Sequence, residues 1–195
     1  GTKRFTWGLD KSQAPYIRIS SFDKNQPVHF VEGLADGLIL HQALNQSVIV
    51  ALDANNLKAV VTQFRQRFPH QSGYIWADND QWKYDRADNV GIIKGMAAAQ
   101  ATGYQIVIPQ FTDYDCSNRP TDLSDLFQLG GLQAIQNLYR SATKPLIGYE
   151  WHKKQLNYIG LRQINNTTSL KSFYSAIRKL CLAGLDQTPL QSLET

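Results

Sequence analysis

Cysteine is nearly absent. Cys116 and Cys181 are the only two in 195 residues, far apart and without a C-x-x-C spacing. That excludes a disulfide framework and a cysteine-based zinc site, and it predicts a reducing, cytoplasmic setting. No apolar run approaches the roughly 18 residues needed to cross a bilayer. Position 1 is not methionine and Gly1-Thr2-Lys3-Arg4 opens no signal peptide, so the chain reads as a stretch of a longer protein or as one cleaved from a tag. Several catalytic signatures are missing as well. There is no G-x-x-x-x-G-K-[ST] for a P-loop, no G-x-G-x-x-G for a dinucleotide, no H-E-x-x-H for a zinc protease and no G-x-S-x-G for a serine hydrolase. His29, His41, His70 and His152 are scattered and read as structural or surface residues.

What is present is a globular composition. A hydrophobic fraction of 43%, with 8 Phe, 4 Trp and 9 Tyr, excludes a disordered chain. Charge is unevenly placed. Residues 1–139 hold 12 Lys+Arg against 13 Asp+Glu, a net of −1, and residues 140–195 hold 8 against 3, a net of +5, which together give the overall +4. A basic tail on a near-neutral body suits contact with a polyanion, or a solvated helix face.

Apolar runs alternate with helical spacing. Tyr16–Ser20, Val28–Val31, Ser47–Leu52, Gly73–Ala77 and Tyr104–Ile108 read as strands. Between them, Asp36–Leu44 and Leu57–Phe68 read as helices, the second capped within Asp53–Asn56 and stopped by Pro69. A third helix, rich in alanine, opens at Asn89 and ends at Gly103, and segments Leu123–Leu129 and Leu132–Tyr139 follow, broken by Gly130-Gly131. Strand and helix alternate four times from Val28 onward, which predicts a parallel sheet with helices on its faces. Leu146–Tyr149 and Tyr158–Leu161 read as short strands, and Thr168 or Ser169 opens a helix to Leu182.

In such sheets ligands bind beyond the carboxyl ends of the strands. Two strand ends carry acids there. Glu32, the only glutamate before Glu150, follows Val31 and precedes Gly33; Asp78-Asn79-Asp80 follows Ala77. Asp and Asn at strand ends are also common turn residues. Three like charges cannot gather cheaply without a cation or protons, and an all-oxygen donor set favours Mg²⁺ or Mn²⁺ over zinc.

Val31-Glu32-Gly33-Leu34-Ala35-Asp36 resembles the glutamate motif of the Toprim superfamily, shared by bacterial-type primases, topoisomerases and some nucleases. Ala77-Asp78-Asn79-Asp80 resembles that family's Asp-x-Asp motif, one strand and helix later. Asn89-Val90-Gly91 before an alanine-rich helix, and Pro120–Leu126, look most like Toprim domains of plasmid and phage primases. The resemblance implies a compact, Rossmann-like α/β Toprim fold with a mostly parallel four-stranded sheet over residues 27–140, an N-terminal extension 1–26 and a basic C-terminal extension 141–195. It implies that Glu32 serves as general acid or base or as a metal ligand, and that Asp78 and Asp80 hold Mg²⁺ or Mn²⁺. Asp36 would support the site, or be a plain first-turn acid. Asp122 would hold a second metal, or cap the helix from Leu123; Asp125 carries a weaker version of the same claim. The chain departs from the family in an inserted stretch, Gln81–Asp88. Its Lys83 and Arg86 suit phosphates or plain solvation, and its Trp82 and Tyr84 suit base stacking or packing. Glu150-Trp151-His152-Lys153-Lys154 reads as a solvated strand end or, second, as a phosphate-binding edge.

The expected activity is that of a primase-like nucleotidyltransferase of a mobile element, making primers from nucleoside triphosphates on single-stranded DNA beside other domains of a larger replication protein, away from membranes. A Toprim nuclease and a non-catalytic nucleic-acid-binding module remain open.

Overall fold

The computed structural model describes residues 10–82 and 89–160, with Ser175, Ile177 and Arg178 beyond them. The chain divides into two compact units, Gly1–Asp80 with Val90–Pro145, and Gln81–Asn89 with Leu146–Thr195. Among the described residues no helix is long and apolar enough to cross a membrane.

The larger unit holds strands β1 (Ile17–Ile19), β2 (Val28–Val31), β3 (Ser47–Val50), β4 (Gly73–Trp76) and β5 (Gln105–Val107), with helices α1 (Leu34–Leu44), α2 (Ala54–Arg67), α3 (Val90–Thr102) and α4 (Leu123–Tyr139). The strands form one sheet in the order β1-β3-β2-β4-β5. β2, β3, β4 and β5 are parallel, as their short, mostly apolar sequences predict; every residue of β2 and β3 is buried. The expected four-stranded sheet gains a fifth member. β1 pairs antiparallel with β3 at the edge, Arg18 opposite Ile49. Its sequence marks a strand, but with two of its three residues exposed it gives no burial pattern from which to read its neighbour.

The path from β2 through α1 to β3 steps one way along the sheet, and the path from β3 through α2 to β4 steps back past β2. Right-handed crossovers therefore put the helices on opposite faces. α1 packs with α4 on one side, and α2 with α3 on the other. β2 and β4 thus flank the point where strand order reverses, the usual ligand position in such sheets.

Local chemistry sets the helix ends. The Asp53 side chain accepts from Asn55 N at 2.7 Å and starts α2, which buries Leu57, Val60 and Val61. Asn45 ends α1 in the left-handed region, φ 53°, a conformation asparagine tolerates. α4 continues through Gly130 but kinks at Gly131 (φ 62°, ψ −164°), where two segments are expected. The core has two layers. Val31, Leu40, Val48, Val50, Trp76, Val107, Leu126 and Ile135 fill the α1/α4 side. Phe30, Ile49, Val60, Ile75, Met96 and Ile106 are buried as well.

In the smaller unit, Gly148–Gly160 forms one helix, α5. This overturns the two expected strands, Leu146–Tyr149 and Tyr158–Leu161, and makes Glu150–Lys154 part of a helix. Runs of four residues are too short to separate strand from helix by period. The intervening Lys153-Lys154-Gln155-Leu156 favours helix by propensity. The expected helix from Thr168 or Ser169 to Leu182 lies outside the described residues except at Ser175, Ile177 and Arg178, which are helical.

Candidate carboxylate site

Pairing of Phe30 with Ile75 across β2 and β4 puts Glu32 level with Ala77, one residue before Asp78. Both acids therefore leave the sheet at the strand-order reversal. α1 starts directly after Gly33 and brings Asp36 back over the same edge; a Cβ at Gly33 would sit 2.9 Å from Asp36 Oδ2. The Asp78–Asp80 loop is fixed by its middle residue. Asn79 is buried, its N–H donates to Thr121 O at 2.7 Å and its Nδ2 donates to Pro109 O at 2.9 Å. Asp80 is buried too, and its Oδ2 accepts from Gly91 N at 2.9 Å, at the start of α3. Gly91 is required there, because a Cβ would strike the Asp78 carbonyl.

From the other face, Asp122 caps α4. Its Oδ1 accepts from Asp125 N at 2.9 Å, and Asp125 Oδ2 accepts in return from Asp122 N at 3.4 Å and from Thr121 N at 2.6 Å. Asp36 Oδ1 accepts from Ser124 N at 2.9 Å and Ser124 Oγ at 2.6 Å. Both structural alternatives for Asp36 and Asp122 are thus realised, with one difference. Asp36 is 7% exposed and caps the far helix α4 rather than its own.

Electrostatics show how closely these groups gather. Burial, and then repulsion from Glu32, Asp36, Asp122 and Asp80, pushes the Asp78 carboxyl up from 3.8 to about 8. The five acids come from two strand ends and two helix starts, and their charges meet at Asp78. Asp125 is spent on the cap and is not among them. Trp82 is half-buried; Lys83, Tyr84 and Arg86 lie outside the described residues.

The donor set is all oxygen and strongly self-repelling, which fits a hard divalent cation in chemistry and in charge. Among the described residues, however, no group of three or more His, Cys, Asp or Glu is arranged to hold a metal ion. Asp36, Asp80 and Asp122 each turn an oxygen to an N–H at the start of a helix. Each of these carboxylates has a second oxygen besides the one held in this way.

Asn79, Gly91 and Ser124 were not recognisable as site residues. Gly91 opens a helix in the sequence, but nothing there shows its backbone contact. Asn79 and Ser124 act through partners 30 and 88 residues away, which no local spacing reveals.

The fold and site define a doubly wound α/β domain with an acidic centre at its switch point. The chain is 29% identical over 126 residues to a DNA primase TraC from Escherichia coli, covering 63% of this chain and 9% of that protein. A second DNA primase TraC from Escherichia coli is 32% identical over 81 residues, 41% of this chain and 8% of that protein. The chain therefore spans about a tenth of the length of the primases it matches, and the likeness relates it to primases at a distance. No protein-family model and no solved structure matches it.

Proposed function

We propose that residues 27–140 are a Toprim-type catalytic domain of a primase-like, plasmid- or phage-type replication protein, making primers on single-stranded DNA in the cytoplasm. The observation that carries this reading is the convergence of Glu32, Asp36, Asp78, Asp80 and Asp122 at the carboxyl ends of β2 and β4. The distant likeness to DNA primases supports it.

Asp78 and Asp80 would hold Mg²⁺ or Mn²⁺, with Glu32, Asp36 and Asp122 completing the donor set. The bound ion would supply positive charge for a nucleoside triphosphate and for the oxygens of an in-line displacement. Glu32, at the end of β2, would accept or return the proton of the reacting hydroxyl. Asn79 and Gly91 keep the Asp78–Asp80 loop against the sheet, so that the carboxylates are positioned before substrate arrives.

The test is incorporation of labelled ribonucleotides on single-stranded DNA with Mg²⁺. Asp78→Ala and Glu32→Gln are expected to abolish synthesis with the fold intact. Full activity in either variant overturns the assignment. Mg²⁺-dependent nicking without nucleotides would indicate a nuclease, and salt-sensitive DNA binding with neither activity a binding module.

A further inference from the structure

The face of the sheet covered by α2 bears a second feature, remote from the carboxylates in chemistry. A shallow cleft of about 70 Å³ opens between β1 and the C-terminal half of α2. Its floor is Ile49 and Val60, both buried, and its walls are Tyr16, Phe64 and Phe68, with Gln63 and Arg67 at the rim. Tyr16 is 49% exposed, so one side of its ring is open to a ligand. The wall is held firm. Phe22 contacts Phe64 edge-on at 5.7 Å and Phe68 at 4.8 Å, and Phe64 and Phe68 lie 4.8 Å apart.

The rim is basic. The Arg67 guanidinium stands 5.6 Å from the centre of the Phe68 ring. Arg18 is exposed and pairs directly opposite Ile49; residues opposite one another in an antiparallel pair project to the same face. Arg18 therefore stands on the face whose floor is Ile49. No aspartate or glutamate occurs from Ala54 to Ala77 or from Lys11 to Phe22.

We propose that this cleft binds single-stranded nucleic acid, with an unpaired base against Tyr16 and Phe68 and the backbone phosphates met by Arg67 and Arg18. Aromatic faces beside cations are the usual equipment for strand binding without sequence preference. A shallow cleft with an exposed ring needs an unstacked base, which a duplex does not offer. The inference rests on the reading that the chain works on nucleic acid, but not on the carboxylate chemistry.

The experiment is fluorescence anisotropy of a labelled thymidine oligomer of about 15 nucleotides with the full chain, in EDTA. The cation site then contributes nothing. Tyr16→Ala is expected to weaken binding about tenfold, and Tyr16→Phe, which keeps the ring, to restore it. Arg67→Gln should lower the slope of log affinity against log salt by about one, and Arg67→Lys should not. Gln133→Ala, an exposed change on α4, should bind as the parent does, and because binding is read in EDTA, failure of the catalytic reading is read separately. The proposal is overturned if Tyr16→Ala and Arg67→Gln bind normally, or if the parent ignores the oligomer or prefers a duplex. It is equally overturned if Tyr16→Ala instead changes the mass in sedimentation, which would assign the cleft to a second copy of the chain.

Discussion

Asp36 and Ser124 lie 88 residues apart in sequence, and a single carboxylate oxygen of the first accepts from both the backbone N–H and the hydroxyl of the second. This clasp joins the first turn of α1 to the first turn of α4. It sets Asp122, two residues before Ser124, among the charges around Asp78.

Ser124→Ala removes the hydroxyl bond and keeps the backbone one. A hydrogen bond to a charged acceptor contributes about 1.5 kcal/mol, so the urea midpoint should fall by that equivalent. Asp36→Ala should cost more, because it leaves two donors at the start of α4 without their acceptor. If both variants unfold like the parent, the clasp does not dock α4.

Asp78 makes the domain less stable as pH rises. Its folded carboxyl titrates at about 8 and its ordinary value is 3.8, so the folded chain retains a proton that the unfolded chain releases. Stability from this group is complete below about 4 and is lost as pH rises through 8. In metal-free buffer at pH 8, Asp78→Asn should therefore melt several degrees above the parent while losing any synthesis. Mg²⁺ should raise the melting temperature of the parent and leave that of Asp78→Asn nearly unchanged. A parent that melts higher than Asp78→Asn at pH 8 without metal would show that the charges do not repel as placed.

Much of this was legible in the sequence. The parallel core strands are short, mostly apolar runs largely buried between two helix layers, and their ends locate Glu32 and Asp78. The partner of β1 was not legible, because a three-residue, half-exposed edge strand has no pattern of its own. The region after Lys144 was misread because Leu146–Tyr149 and Tyr158–Leu161 look alike as strand or as helix. The attachments that hold the site, Asn79 to Pro109 and Asp36 to Ser124, are contacts between distant segments. Sequence spacing carries no trace of them.

Gly91→Ala should damage stability and site together. The new methyl would meet the Asp78 carbonyl, which is backbone and cannot rotate aside. The start of α3 would have to move, taking with it the N–H that donates to Asp80. Overpacking of this kind costs about 1–3 kcal/mol. Thermal melting and Mg²⁺ affinity should fall in parallel. Gly103→Ala is a control of a different kind: no atom lies within 4 Å of the added carbon, and the cost comes only from φ 73°. It should lower the melting temperature without altering Mg²⁺ affinity.

The last expectation concerns a histidine that takes no part in the site. His29 is fully buried on β2. The Trp76 indole N–H donates to its Nδ1 at 2.9 Å, its Nε2 pairs with Gln46 Oε1 at 2.5 Å, and Tyr74 stacks on the ring at 5.3 Å. With Nδ1 accepting, the ring is the neutral form protonated on Nε2. Burial lowers its titration from 6.5 to about 4, partly opposed by the bond to Gln46. The unfolded chain therefore takes up a proton, as pH falls through 6.5, that the folded chain refuses. Stability from this group is whole above 6.5 and lost toward 4, at most about 3 kcal/mol across the window. Asp78 has the opposite trend over the same range, so the two would mask one another in the parent. In an Asp78→Asn background the urea midpoint should fall steadily from pH 7 to pH 5, and His29→Gln should flatten that slope even though it weakens the fold. An unchanged slope in the double variant would mean that His29 is already charged in the folded core, contrary to its place as acceptor of the Trp76 N–H.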